Sequence, residues 1–149
     1  MTKGFKIIGI ATRTTNQGGQ SLQDLGKLWT QFYTDDIFGK IPNKISNEIY
    51  AVYTDYQGDF TEAYTAIIGV PVSTLDETPE GLLGREFMAE HFKKFTAKGE
   101  MPNAIMSTWA DIWQREEELN RKYSYDFEVY CDKPQNGAES EVEIFLSVK

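Results

Sequence analysis

The sequence holds a single cysteine, Cys131, and a single histidine, His91. One cysteine rules out a disulfide within the chain, and one histidine leaves too few ligands for a zinc-type site. A Ser-His-Asp arrangement would have to use His91, whose neighbour Phe92 favours a packing role. No metal site and no cofactor are therefore expected. No apolar run comes near the roughly 20 residues that a membrane-spanning helix needs. At the N-terminus Arg13 ends the short apolar run at residues 7–11, which is too brief for a signal-peptide core. A cytoplasmic location without membrane contact is expected. Basic residues are scarce too: 15 Lys and Arg against 23 Asp and Glu give a formal net charge of -8. A phosphate backbone is met by a basic stripe, so direct nucleic-acid binding is not expected. Acidity steers cations or a basic protein partner, and it equally serves plain solubility. Gly18-Gly19 matches no phosphate-loop pattern, and Arg115-Glu116-Glu117-Glu118 reads as a solvated helix face.

What the chain does have is aromatic residues, 13% of the whole, and their order nearly repeats. Tyr50-Ala51-Val52-Tyr53-Thr54-Asp55 lines up with Phe127-Glu128-Val129-Tyr130-Cys131-Asp132. Upstream of the first string, Leu25, Leu28, Trp29 and Phe32 recur at helical steps, and Trp109, Ile112 and Trp113 do the same upstream of the second. Trp29 thus matches Trp113, and Trp109 stands where the first copy has Leu25. The 149 residues suit one domain, 1–149, built of two modules at about 1–72 and 85–149. Residues 73–84, with Pro79, Gly81 and Gly84, read as the linker.

Each module reads as strand, helix, hairpin. In the first, residues 5–12 form a strand and a helix follows to about 33, capped by Ser21 and Asp24. A loop at 34–47 then leads to strands at 48–56 and 62–72 around a turn at 57–59. In the second, a strand at 87–96 precedes a helix that Pro102 opens and that runs to about 120. Strands at 126–131 and 141–148 follow, around a turn at 134–137. The expected fold class is α+β: two tandem strand-helix-strand-strand modules with pseudo-twofold symmetry, a largely antiparallel sheet and helices on one face. Strand alternation puts Phe127, Val129 and Cys131 on one side and Asp126, Glu128, Tyr130 and Asp132 on the other. Assigning the apolar set to the helix-covered core leaves Ala51, Tyr53, Glu128 and Tyr130 on the open face.

Within the repeat, the gross chemical mismatch is Ala51 against Glu128. A carboxylate in one copy only is hard to assign to folding, and between flanking tyrosines it suits an amphipathic cation. Other readings remain beside this one. Glu128 could be an exposed acid paired to a lysine, Tyr53 and Tyr130 could cap the sheet, and Trp109 could serve cleft or core. Trp29 and Trp113, present in both copies, are assigned to the core.

The strings at 50–64, Trp109-Ala110-Asp111-Ile112-Trp113, and Asp126-Phe127-Glu128-Val129-Tyr130 followed by residues 142–149 resemble the GyrI-like small-molecule-binding domain. That domain is the effector-binding part of multidrug-responsive bacterial transcription regulators, and the likeness is strongest to stand-alone, integron-associated effector-binding members. The resemblance implies a ligand cleft at the module junction with a central acid, matched here by Glu128, and lipophilic-cation binding shared with Tyr130 and Trp109. Tyr53 joins them from the internal repeat. The regulators fuse the domain to a helix-turn-helix, and no such basic segment is seen in these 149 residues. The leading expectation is a non-enzymatic binder of cationic, aromatic-rich molecules, for sensing or sequestration. One alternative is a hydrolase using Glu128 with Tyr130 or Trp109. Another is a protein-interaction regulator of the gyrase-inhibitor type.

Overall fold

A computed structural model describes residues 4–58, 62–99, 103–130 and 141–149. The strands are β1 (Phe5–Thr14), β2 (Ile49–Thr54), β3 (Tyr64–Val72), β4 (Leu83–Phe87), β5 (Phe92–Lys98), β6 (Tyr125–Tyr130) and β7 (Glu141–Ser147). The helices are α1 (Gln20–Thr34), α2 (Ile37–Lys40), α3 (Asn103–Gln114) and α4 (Glu116–Leu119). All seven strands join one antiparallel sheet in the order β4-β1-β3-β2-β6-β7-β5. The fold is therefore α+β, as the sequence pattern implies. β2 and β6 meet at the central seam, where Ala51 is the cross-strand partner of Glu128. The two residues that differ most between the repeats are thus immediate neighbours.

The expected strand at 87–96 is two strands. β4 pairs with β1 at one edge of the sheet and β5 with β7 at the other, so residues 88–91 carry the chain between opposite edges. Phe87 and Phe92 are five steps apart and can be separated by no more than about 18 Å. A flat sheet of this size would hold its edges about 29 Å apart, six spacings of about 4.8 Å. The sheet must curl, and the rings show that it does. Phe5 of β1 packs 5.0 Å from Phe127 of β6, although two strands lie between them. Phe87 and Phe92 both reach Tyr125, at 4.8 and 5.3 Å. Inside the curl, Ile7, Val52, Ile67, Phe127 and Val129 form an aromatic-rich core.

The helices lie on the opposite, outer face, so the sequence-based choice of covered face is corrected. Leu28 and Phe32 of α1 pack on Ile8 and Ile10 of β1 and on Ile68 and Val70 of β3. Ile112 of α3 packs on Ala97 of β5 and on Val142, Ile144 and Leu146 of β7. The curl, convex toward the helices, leaves the β2–β6 seam between them. Ala51, Tyr53, Glu128 and Tyr130 share a side as strand alternation requires, and that side faces the gap between the helices. Apolar character chose the wrong face because both faces are buried: the inner one is closed by the curl itself, with no helix.

Smaller departures are local. Ser21 is buried inside α1, whose N-cap is Gly19 without a side-chain cap, while Asp24 accepts hydrogen bonds from Thr14 Oγ1 at 2.8 Å and Gln20 Nε2 at 3.1 Å. The 34–47 loop contains α2. The long helix expected to 120 breaks at Arg115, and Asn120 ends α4 in the left-handed region at φ 55°. Cys131, Asp132, Pro102, Asp59 and the 134–137 turn lie outside the described residues. Among the described residues no helix is long and apolar enough to cross a membrane.

Candidate functional site

Glu128 points into the gap from β6 and is 2% exposed. Three elements converge on its carboxylate. Tyr53 of β2 donates to Oε1 at 2.9 Å, Tyr130 of β6 donates to the same oxygen at 2.7 Å, and Trp109 Nε1 of α3 donates to Oε2 at 2.6 Å. All four residues singled out in the sequence therefore form one cluster. Burial pushes the Glu128 carboxyl above the ordinary glutamate range, opposed by the Tyr130, Trp109 and Tyr53 hydrogen bonds that favour its charged form. Burial first, and then the Glu128 charge, hold the Tyr53 and Tyr130 hydroxyls well above the usual tyrosine value, which keeps both as donors.

The three donors are neutral. Among the described residues no basic side chain lies within ion-pair distance of Glu128. The next acid along the strand is handled differently. Asp126, fully buried, receives Arg121 Nη2 and the Tyr56 hydroxyl on Oδ2, both at 2.5 Å, and the Ser147 backbone N–H on Oδ1 at 2.9 Å. The Arg121 guanidinium lies 4.3 Å over the Tyr123 ring and 5.9 Å from the Trp109 ring centre. Asp126 is thus neutralised by a buried cation, whereas Glu128 is solvated by dipoles alone. A buried carboxylate without a counter-ion is a costly arrangement for folding and a favourable one for an incoming positive charge.

Above Glu128 opens a cavity of about 370 Å³. Leu22, Leu25 and Trp29 of α1 form one wall, and Ile105, Met106 and Trp113 of α3 form the other. Trp29 stands edge-on to Tyr130 with ring centres 4.9 Å apart, and Trp109 is tilted against Trp113 at 6.3 Å. Trp29 and Trp113, assigned to the core from sequence, do pack against core clusters, and being half-buried they also wall the cavity. The available signal was the width of the helical stripe: Leu22, Leu25 and Trp29 continue it beyond the Leu28–Phe32 side that meets the sheet. Tyr56 and Arg121 also line the cavity and carried no sequence signal, because Arg121 reaches Asp126 only through a turn. Among the described residues no three His, Cys, Asp or Glu side chains are grouped to hold a metal ion.

This geometry can be set beside known proteins. Over its full described length the chain resembles in structure an integron cassette protein from the mobile metagenome of Vibrio cholerae, with 27% identity, a TM-score of 0.76, and coverage of 99% of this chain and 92% of that one. The protein SAV2435, solved bound to tetraphenylphosphonium, shares the fold at a TM-score of 0.80 with 17% identity, covering 99% of this chain and 90% of that one. In sequence the chain is 22% identical over 147 residues to YobU of Bacillus subtilis (strain 168), whose name places it among transcriptional regulators, covering 97% of this chain and 92% of YobU. Residues 1–148 match the family described as Cass2, integron-associated effector binding protein. The chain belongs to that family of effector-binding proteins.

Proposed function

We propose that this protein binds a lipophilic, aromatic-rich organic cation in the cleft over the β2–β6 seam, with Glu128 as the counter-charge. The observation that carries this reading is a carboxylate 2% exposed, held by three neutral donors, beneath a cavity walled by indoles and aliphatic side chains. A cation entering there exchanges water for the faces of Trp29, Trp109 and Tyr130 and for a charge that the fold has left uncompensated. Membership of an effector-binding family supports small-molecule recognition. A protein of the same fold has been solved with a lipophilic cation, which supports the ligand class. In this reading residues 1–72 and 85–149 are copies of one unit, and the site draws its charge from the second copy alone.

The test uses two probes of nearly the same shape and opposite charge, tetraphenylphosphonium and tetraphenylborate, measured by calorimetry at fixed ionic strength. Wild-type protein should prefer the cation. Glu128→Gln keeps the shape and the acceptor for Tyr53 and Tyr130 but removes the charge and turns an amide NH2 toward the Trp109 N–H, and should weaken the cation by on the order of 2 to 5 kcal/mol while narrowing the preference. Recovery unchanged, after incubation, of an aromatic cation that carries a hydrolysable bond distinguishes a binder from a hydrolase. A folded Glu128→Gln protein that binds tetraphenylphosphonium as tightly as wild type sinks the counter-charge role.

A further inference from the structure

We infer that Gly26 is a size gate: its missing side chain is a notch in the α1 wall that admits a bulky ring of the ligand. The notch presupposes the binding reading above and adds the ligand class to it, a cation bearing several rings rather than a slim ammonium.

Leu22, Leu25, Gly26 and Trp29 occupy one stripe of α1 at helical spacing, and all four line the cavity. Three are large and the fourth has no side chain. Glycine is the poorest helix former after proline, so its presence within Gln20–Thr34 calls for a reason. Backbone conformation does not supply one: the described glycines with positive φ are Gly18, Gly19, Gly81 and Gly99. Packing does not supply one either. A Cβ at Gly26 would meet no atom within 4 Å, whereas at Gly9 it would fall 2.0 Å from the Ile68 carbonyl oxygen. Fold and contact both tolerate a side chain at 26, an exposed position on the rim between the cleft and a surface depression lined by Gln23, Lys27 and Thr30.

The position of the notch fits a ring. Trp29, three residues on and so about 4.5 Å along the helix axis, touches Tyr130, which in turn donates to Glu128. A charged centre above Glu128 therefore places a neighbouring ring alongside Trp29 and toward Gly26. Across the gap, the α3 residues that line the cavity are Ile105, Met106, Trp109 and Trp113.

Gly26→Ala and Gly26→Leu separate this role from a structural one because fold and binding move in opposite directions. The alanine variant should melt a few degrees higher, about 3 °C, since alanine stabilises an exposed helix turn relative to glycine. Calorimetry with tetraphenylphosphonium should show a loss of about tenfold in the leucine variant, from overpacking of the notch, and a smaller loss in the alanine variant. The slim cation phenyltrimethylammonium should bind both variants as it binds wild type. Unchanged tetraphenylphosphonium affinity in Gly26→Leu overturns the gate alone, and so does an equal loss for both cations. Wild-type protein that binds neither cation overturns the binding reading and the gate with it.

Discussion

The two faces of the sheet are both rich in aromatic side chains, yet one is closed and the other is open. On the inner face, Phe127 sits within 4.7 to 5.4 Å of the Phe145, Phe5, Phe92 and Tyr50 rings. On the outer face, Tyr53, Tyr130 and Trp109 aim their polar ends at Glu128, and about 370 Å³ above it stays unfilled. Ring count does not explain the difference. Phenylalanine has no polar edge and packs to native density wherever the curl brings strands together. Tyrosine and tryptophan around a buried acid are held by their hydrogen bonds, and those bonds keep them from collapsing into the space above. The inner face is a core because its buried cluster holds no charge and Tyr125 satisfies its hydroxyl on the Met88 carbonyl oxygen. The outer face differs in holding a buried carboxylate, Glu128, with no basic partner among the described residues.

Truncating one residue on each face breaks the comparison most directly. Phe127→Ala should cost about 3 to 5 kcal/mol of stability, read from denaturant midpoints, since the crowded inner face cannot collapse around the void. Glu128→Gln removes the cost of a buried charge but sets an amide NH2 against the Trp109 N–H, so its stability should stay within about 2 kcal/mol of wild type beside a larger loss of cation affinity. The pH dependence of that difference follows from linkage. A carboxyl raised by burial binds its proton more tightly in the folded than in the unfolded chain, so stability falls as pH rises from the ordinary glutamate value through the folded one. The glutamine variant does not carry that loss.

The same shift sets the pH dependence of binding. Cation affinity should be constant at high pH and fall by about tenfold per unit once pH drops below the raised Glu128 value, a slope absent in Glu128→Gln. A pH-independent affinity in wild type would place the attraction elsewhere than on this carboxylate. The smallest effect is expected from Tyr53→Phe. Removing one donor should move the midpoint of the pH profile upward and cost about 1 kcal/mol of cation affinity or less, because Tyr130 still serves the same oxygen. Its readout is the displaced midpoint, which a loss of packing would not produce.

Much of this was legible in the sequence, for identifiable reasons. Glu128, Tyr130 and Tyr53 could be gathered because strand alternation is strict and aligning residues 50–55 with 127–132 gives Tyr53 and Tyr130 the same parity. Trp109 could be added because it stood where the first repeat has leucine. The covered face could not be read: that requires knowing that the sheet curls, and the curl is set by the short connection at 88–91 between opposite edges. The second role of Trp29 and Trp113, as cavity walls, was missed for a related reason. Helical periodicity reports an apolar stripe but not whether all of it meets the sheet, and here half of it faces an opening.

The pairing of Ala51 with Glu128 at the seam also bears on how such a protein changes over generations. The acidic charge beneath the cavity comes from one codon, while the aliphatic and phenylalanine cores on either side make no contact that needs that charge. A lineage released from selection for its ligand could shed the carboxylate in one substitution and keep a sound fold. Under the proposed counter-charge role, an uncharged descendant would be free to drift toward neutral ligands, and the reverse step would restore the charge just as abruptly.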